Sequence, residues 1–316
     1  MAYAIRRSLL IIPTLLGISF LTFLLATVAP GNPADTLIRR LESRPPLPGE
    51  LRAMEEELGL DRPFVVQYVS WVGDAATGDL GTSFATRGPV VEELMRRIPF
   101  TLQLAVPAAI LALLMALPVG VFCALRPNRL ADQIVRVVSL ASASLPSFWL
   151  ALMLILVFAV HLSLVPVAGR GGLNTFVLPV LTLALEPAAV LARFTRSNML
   201  QTLGEDYVRT ARSKGLSEWV VVGSHAMRNA IIPAVTYFGS RLAGLVTGAV
   251  IVETIFVWPG IGRLAVDAVG ERDYPMLQGI VLFVGVTFAV LNLLVDLSYG
   301  LIDPRIRLQR KPGGAG

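Results

Sequence analysis

Long runs almost free of charge alternate along the chain with short segments rich in arginine. The runs are 8–29, 100–125, 137–160, 173–192, 230–252 and 275–295. Each has the roughly 17–25 residues that a helix needs to cross a bilayer. Lipid offers the backbone no hydrogen-bond partner, so the pattern predicts six transmembrane helices. Pro13, Pro107, Pro118, Pro146, Pro179 and Pro187 fall inside or near them. Neighbouring helices can satisfy the carbonyls that a proline frees, and the kinks can shape a pore. The first run follows Arg6 and Arg7. It exceeds the apolar core of about 7–15 residues in a signal peptide and is read as a retained first helix.

Arginine and lysine in the loops set the orientation. One set of loops holds Arg6, Arg7, Arg126, Arg129, Arg136, Arg193, Arg196, Arg209, Arg212, Lys214, Arg228, Arg305, Arg307, Arg310 and Lys311. The short loops of the other set hold Arg170, Arg263 and Arg272. The richer side is expected in the cytoplasm, with both termini. Segment 30–99 then lies outside although it too carries arginines, because long loops translocate largely regardless of charge. Within it, 50–60 and 65–72 place apolar residues at helical spacing, and Pro89 stands where a helix running to Arg97 would begin. This partly helical segment is either a docking surface or a solvated connector packed on the helix ends. The expected division is 1–29 for the cytoplasmic N-terminus and first helix, 30–99 outside the membrane, 100–302 for the transmembrane domain, and 303–316 for a cytoplasmic tail. The end of that tail, 311–316, is expected to be disordered.

Composition agrees. Of 316 residues, 54% are hydrophobic and 16% charged, with a mean hydropathy of +0.68. A soluble domain of this length needs more polar surface. The net charge of +5 would suggest nucleic acid as a partner for a soluble protein. Here basic cytoplasmic loops account for it, and no nucleic-acid role is expected. The one cysteine, Cys123, excludes a disulfide within the chain. His161 and His225 fall on opposite sides of the membrane, so no metal site is expected. No Gly-x-x-x-x-Gly-Lys-Ser/Thr loop is present to cradle phosphates, and no convergent catalytic cluster falls in the spans.

The most informative stretch is the inner loop between the fourth and fifth spans, 196–230. From Asp206 to Arg228 it has helical composition, is interrupted at Gly215, and becomes helical again. A glycine that takes the left-handed conformation ends one helix and lets another start. The result is an elbow standing off the membrane, suited to dock a cytoplasmic partner or to lie as a plain surface helix.

The elbow resembles the coupling loop of ABC importer permeases. Ala211 and Gly215 match the general family pattern, whereas Arg209 and Thr210 stand where glutamate and alanine would be. Asp206, Tyr207, Val208, Arg209, Thr210, Ala211, Lys214, Gly215 and Leu216 follow the version of the peptide/nickel subfamily. The resemblance extends through Gly59 to Pro63 with Gln67 and Tyr68, Gly78 to Gly81 with Ser83, and Arg97 to Leu102. It continues through Ser144 to Trp149, Gly248 to Glu253, Pro259 to Gly262, and Asp303 to Arg307. It implies an all-α integral membrane protein with the type I ABC importer permease fold, in a bacterial inner membrane. The implied function is a translocation path for di- and oligopeptides, without catalysis by this chain. The implied partners are a homologous second permease, two ABC ATPases that hold ATP and magnesium, and an extracytoplasmic peptide-binding protein. Asp206, Ala211, Lys214, Gly215, Leu216, Ser217 and Glu218 would form the ATPase-coupling surface. Nickel chelates and glutathione are alternative cargoes, and an ion-coupled secondary transporter is a different class of reading.

Charges within spans are costly in lipid and mark candidate functional positions. They are Glu186 in span four, Arg241 and Glu253 in span five, and Asp296 in span six. Arg241 either lines the path and meets a peptide carboxylate, or pairs internally with Glu186 or Asp296. Pairing is the favoured reading, because it is how such charges persist in bilayers. Glu253 is expected near Trp258 at the interface, in a structural role.

Overall fold

The computed structural model describes residues 2–28, 31–42, 44–169 and 171–302. The predicted tail and the motif at 303–307 lie outside the described residues, as does the side chain of Asp296. Helix dominates, and among the described residues the only β-pairing is an isolated bridge between Thr82 and Pro89.

The chain forms two compact units, 1–101 with 259–290, and 102–258 with 291–316. The first contains α1 (Ala2–Val28), α2 (Pro33–Glu42), α3 (Pro48–Glu57) and α4 (Phe64–Thr77). It also holds the start of α5 (Val90–Leu125). The second contains the rest of α5, then α6 (Leu130–Ser144) and α7 (Ser147–Leu154), which continues as π-helical turns over Ile155–His161. It goes on with α8 (Leu173–Leu203), α9 (Asp206–Ser213), α10 (Glu218–Val220), π-helical turns over Val221–Ala226, and α11 (Met227–Ile255). The chain returns to the first unit with α12 (Ile261–Glu271) and the start of α13 (Tyr274–Ile302).

Among the described residues, four helices are long and apolar enough to span a bilayer: Ile11–Val28, Val90–Leu125, Leu173–Leu203 and Tyr274–Val295. They correspond to the first, second, fourth and sixth predicted spans. α11 occupies the place of the fifth, and its 29 residues extend about 43 Å. The 36 residues of α5 reach about 54 Å, beyond the hydrocarbon thickness of about 30 Å. Its charged first turns, Glu92 to Arg97, therefore project past the membrane as a continuation of the same helix.

The third predicted span is not one straight helix. α6 and the segment from Ser147 to His161 meet at 111°. Leu145 takes an extended conformation, φ −83° and ψ 129°, because the ring of Pro146 disfavours a helical residue before it. Pro146 also lacks the N–H that would continue the ladder. The apolar pattern carries on through this break because both arms are apolar.

In the first unit, the start of α5 packs Val90 and Leu94 against Ile261, Leu264 and Met276. Gly279 permits this: a Cβ there would stand 2.5 Å from Val90 Cγ1. The buried Asp273 carboxylate ties the 83–86 turn to the first turn of α13. It accepts from Ser83 Oγ at 2.5 Å, from the amides of Phe84 and Ala85 at 3.1 and 3.2 Å, and from that of Met276 at 3.2 Å.

α8 organises the second unit. Its Arg196 grips the buried Asp132 of α6 with two hydrogen bonds, Nε to Oδ1 at 2.5 Å and Nη2 to Oδ2 at 2.7 Å. Against α5, Gly120 lies so close that an added Cβ would meet Thr195 Cβ at 2.6 Å and the Ala192 carbonyl at 2.7 Å. Against α11, Phe194 stacks on Tyr237 with 4.8 Å between ring centroids.

Candidate functional site: the elbow and the polar residues of the spans

α9 begins after Glu205 with Asp206 in its first turn and Arg212 in its last, charges that suit the two ends of a helix dipole. It is amphipathic. Val208 is fully buried and Ala211 is 5% exposed, whereas Arg209 and Thr210 face solvent. Val208 and Ala211 join Val221, Val222 and Ala226 from the following turns in one apolar cluster. Ala124 at the end of α5, Met199 near the end of α8 and Ala230 in the first turn of α11 complete it. The elbow is therefore anchored on three long helices, α5, α8 and α11.

At the bend, Gly215 has φ +76°, in the left-handed region, and its amide donates to Arg212 O at 3.0 Å. Ser217 is extended and precedes α10. Arg212 reaches across to Glu218, Nη2 to Oε1 at 2.6 Å and Nε to Oε2 at 3.2 Å. That hydrogen bond holds the Glu218 carboxyl below the usual carboxylate range and raises the Arg212 guanidinium.

All of the predicted coupling residues lie on this elbow. Ala211 forms its buried base, while Asp206, Lys214, Leu216, Ser217 and Glu218 are exposed around Gly215. Trp219 was missed by sequence reasoning. It is 89% exposed at the tip, next to the exposed Leu216 and Val220. Its sequence neighbours Leu216, Val220, Val221 and Val222 are apolar too, so nothing local marked it as exposed. Large exposed aromatic side chains commonly anchor protein interfaces.

The intramembrane charges are more dispersed. Glu186, beside Pro187 on α8, is exposed on this chain. Arg241 is also exposed, and its guanidinium lies over the Tyr237 ring, 5.5 Å from the centroid. The stack Phe194, Tyr237, Arg241 thus runs from α8 onto one face of α11. Among the described residues, Arg241 and Glu186 form no ion pair with each other and a cation over an aromatic ring is present; the predicted pairing with Asp296 lies outside the described side chains. Glu253 is fully buried in the last turn of α11. Its backbone carbonyl accepts the amide of Trp258 at 2.7 Å, and Trp258 packs edge-on against Phe176 at 4.7 Å.

In the first unit, a cavity of about 830 Å³ opens between the Val28 end of α1, α2 and α4, and the start of α13. Its lining mixes Phe23, Leu37 and Trp71 with Glu55, Asp74 and Arg87.

Residues 116–308 match the family described as binding-protein-dependent transport system inner membrane component. Residues 1–105 match the N-terminal family of the same membrane components. The chain is 39% identical to the dipeptide transport system permease protein DppB of Alkalihalophilus pseudofirmus, over 97% of this chain and 99% of that one. It is 40% identical to the oligopeptide transport system permease protein AppB of Bacillus subtilis, over 96% and 99%. It is 41% identical to the glutathione transport system permease protein GsiC of Salmonella choleraesuis, over 96% and 98%. Among solved structures, the MetNI methionine ABC transporter in inward-facing conformations superposes with a TM-score of 0.55. That match has 16% identity and covers 66% of this chain and 96% of that one. An amino acid ABC transporter gives 0.52 at 16% identity, over 68% and 94%. These two matches concern the fold.

Proposed function

The chain belongs to the family of binding-protein-dependent transport system inner membrane components, and from that premise we propose that it is the permease subunit of an ATP-driven importer of short peptides. The observation that carries this reading is the elbow. A helix–glycine–helix bend is anchored on the ends of three long helices and presents the exposed Trp219 just past Gly215. Such a knob transmits motion. A force applied at Trp219 or Leu216 is passed through the Val208, Ala211 and Val221 cluster to α5 and α8.

The partners are a second, homologous permease, two ABC ATPases and an extracytoplasmic binding protein. ATP and magnesium belong to the ATPases. This chain contributes the path and the coupling surface. When the ATPases close, they carry the docked elbows with them, and the spans rock between inward and outward openings. The elbow side, with the arginine-rich loops and both termini, is cytoplasmic; the other side faces the binding protein. Arg241 and Glu186, both exposed on this chain, are the candidates for the wall of the path.

Di- and oligopeptides are the proposed cargo, in keeping with near-full-length identity of 39–40% to permeases named for them. A second reading, glutathione, is favoured by an equally close relative. Transport by vesicles containing the chain, its second permease, the ATPases and the binding protein separates these readings. Uptake of a labelled dipeptide that requires ATP and the binding protein, and resists excess glutathione, supports the peptide reading. Uptake of glutathione in preference to dipeptide overturns it. Uptake driven by an ion gradient without ATPases overturns the importer reading altogether.

A further inference from the structure

α4 has three distinct faces. Phe64, Tyr68 and Trp71 lie against α1. Phe64 is edge-on to Phe20 and Phe23 at 6.0 and 5.4 Å, Tyr68 is edge-on to Phe20 at 5.5 Å, and Trp71 lies 5.7 Å from Phe23. Gln67, Ser70 and Asp74 line the neighbouring cavity. The third face is the stripe Val65, Val69, Val72 and Ala76, at the i, i+4, i+7 and i+11 positions of one side of a helix. Val65 and Val69 are 67% and 61% exposed, and the adjacent Val66 is 47% exposed. No charge stands between Arg62 and Asp74.

The depth of this helix follows from what it touches. Tyr68 Oη donates to Leu16 O at 3.2 Å and shares a 2.9 Å hydrogen bond with Ser19 Oγ. Ser19 lies nine residues before Val28, where the membrane-spanning stretch of α1 ends. At about 1.5 Å per residue that is about 14 Å from the end of the stretch. Half of the hydrocarbon layer is about 15 Å. Phe20 and Phe23, which flank α4, lie about 8–12 Å below the same end by the same rise. Hydrocarbon at that depth would leave a tyrosine hydroxyl without partners. Tyr68 has both of its own on α1, an arrangement that water would make unnecessary.

We propose that α4 lies in the plane of the membrane, embedded in the leaflet at the Val28 end of α1, with the Val65, Val69 and Val72 stripe against lipid acyl chains. Its polar face turns to the cavity, which Arg62 and Asp74 near its two ends also line, so that neither charge needs to meet acyl chains. Segment 30–99 is then not wholly extracytoplasmic: its middle returns into the bilayer without crossing it. α1 carries exposed apolar residues of its own over the same depth, with Leu16, Leu21 and Leu25 48%, 57% and 69% exposed.

The test uses the assembled transporter in lipid bilayers, with Cys123→Ala as background. Val65→Cys, Val69→Cys and, as a control, Glu57→Cys are spin-labelled. Relaxation by molecular oxygen is compared with relaxation by a water-soluble nickel chelate. The expected result is that oxygen dominates at positions 65 and 69 and the chelate dominates at 57. Chelate access at 65 and 69 equal to that at 57 would put the stripe in water and overturn the proposal. Labels shielded from both reagents would put a protein subunit over it, and would overturn it as well.

Discussion

Arg212 and Glu218 close the elbow from opposite sides of Gly215, with Nη2 and Oε1 2.6 Å apart. The pair is exposed, 41% and 57% for the two side chains, so its worth is about 0–1 kcal/mol. Removing either charge should loosen the bend without unfolding the unit. Charge reversal at both positions should restore it. Hydrogen exchange of the amides from Ser213 to Glu218 reads the effect. The folded Glu218 pKa lies below its ordinary value. The contribution of the pair is therefore complete above the unfolded carboxylate range, near about 4.3, and is lost as pH falls through the lower folded value. Exchange in the elbow should accordingly be insensitive to this pair across neutral pH and show its loss only under acid conditions.

Gly215 adopts φ +76° with no atom within 4 Å of an added Cβ. The cost of a side chain there is conformational rather than steric. Gly215→Ala should cost about 1–2 kcal/mol. Gly215→Asn should cost less, because asparagine tolerates the left-handed region. Denaturation of the purified complex, followed by elbow-specific proteolysis, should rank glycine, asparagine and alanine in that order.

Asp132 and Arg196 form the opposite kind of pair. The aspartate side chain is fully buried and the arginine is 17% exposed. Asp132→Ala would leave a guanidinium without its carboxylate and should destabilise by about 3 kcal/mol or more. That loss is several times the effect of Glu218→Ala. Thermal unfolding of the two variants in the same detergent gives the comparison.

Gly120→Ala should destabilise the contact between α5 and α8 by about 1–3 kcal/mol through overpacking. Thr195→Ala should not rescue it, because Thr195 Cβ and the Ala192 carbonyl, the two nearest atoms, remain. A double variant as unstable as Gly120→Ala alone confirms that the backbones set this limit.

Much of this architecture was legible in the sequence because lipid imposes a simple rule. Charge-free runs of spanning length must be helices, and α1, α5, α8, α11 and α13 fall where those runs predicted. The elbow was legible from the glycine between two amphipathic stretches. Pairings over distance were not legible. Asp132 and Arg196 are 64 residues apart, and nothing in either segment names the other. The bend at Leu145 and Pro146 was hidden because proline is tolerated in transmembrane helices, and only the fold decides whether it kinks or breaks one. The stacking of Arg241 on Tyr237 was hidden too. A charge in a span announces that it needs a partner, and carboxylates were the expected kind. Trp219 was overlooked because apolar residues in an amphipathic segment are first read as its buried face.

The elbow is proposed as the coupling surface, and binding-protein-stimulated ATP hydrolysis by the reconstituted importer tests that role most directly. Trp219→Ala removes an exposed side chain without touching the anchoring cluster. It should weaken ATPase docking by about thirty-fold, the equivalent of about 2 kcal/mol at an interface hot spot. Gly215→Pro, which cannot hold φ +76°, should abolish stimulation while the spans remain folded. Full stimulation in both variants would contradict the account.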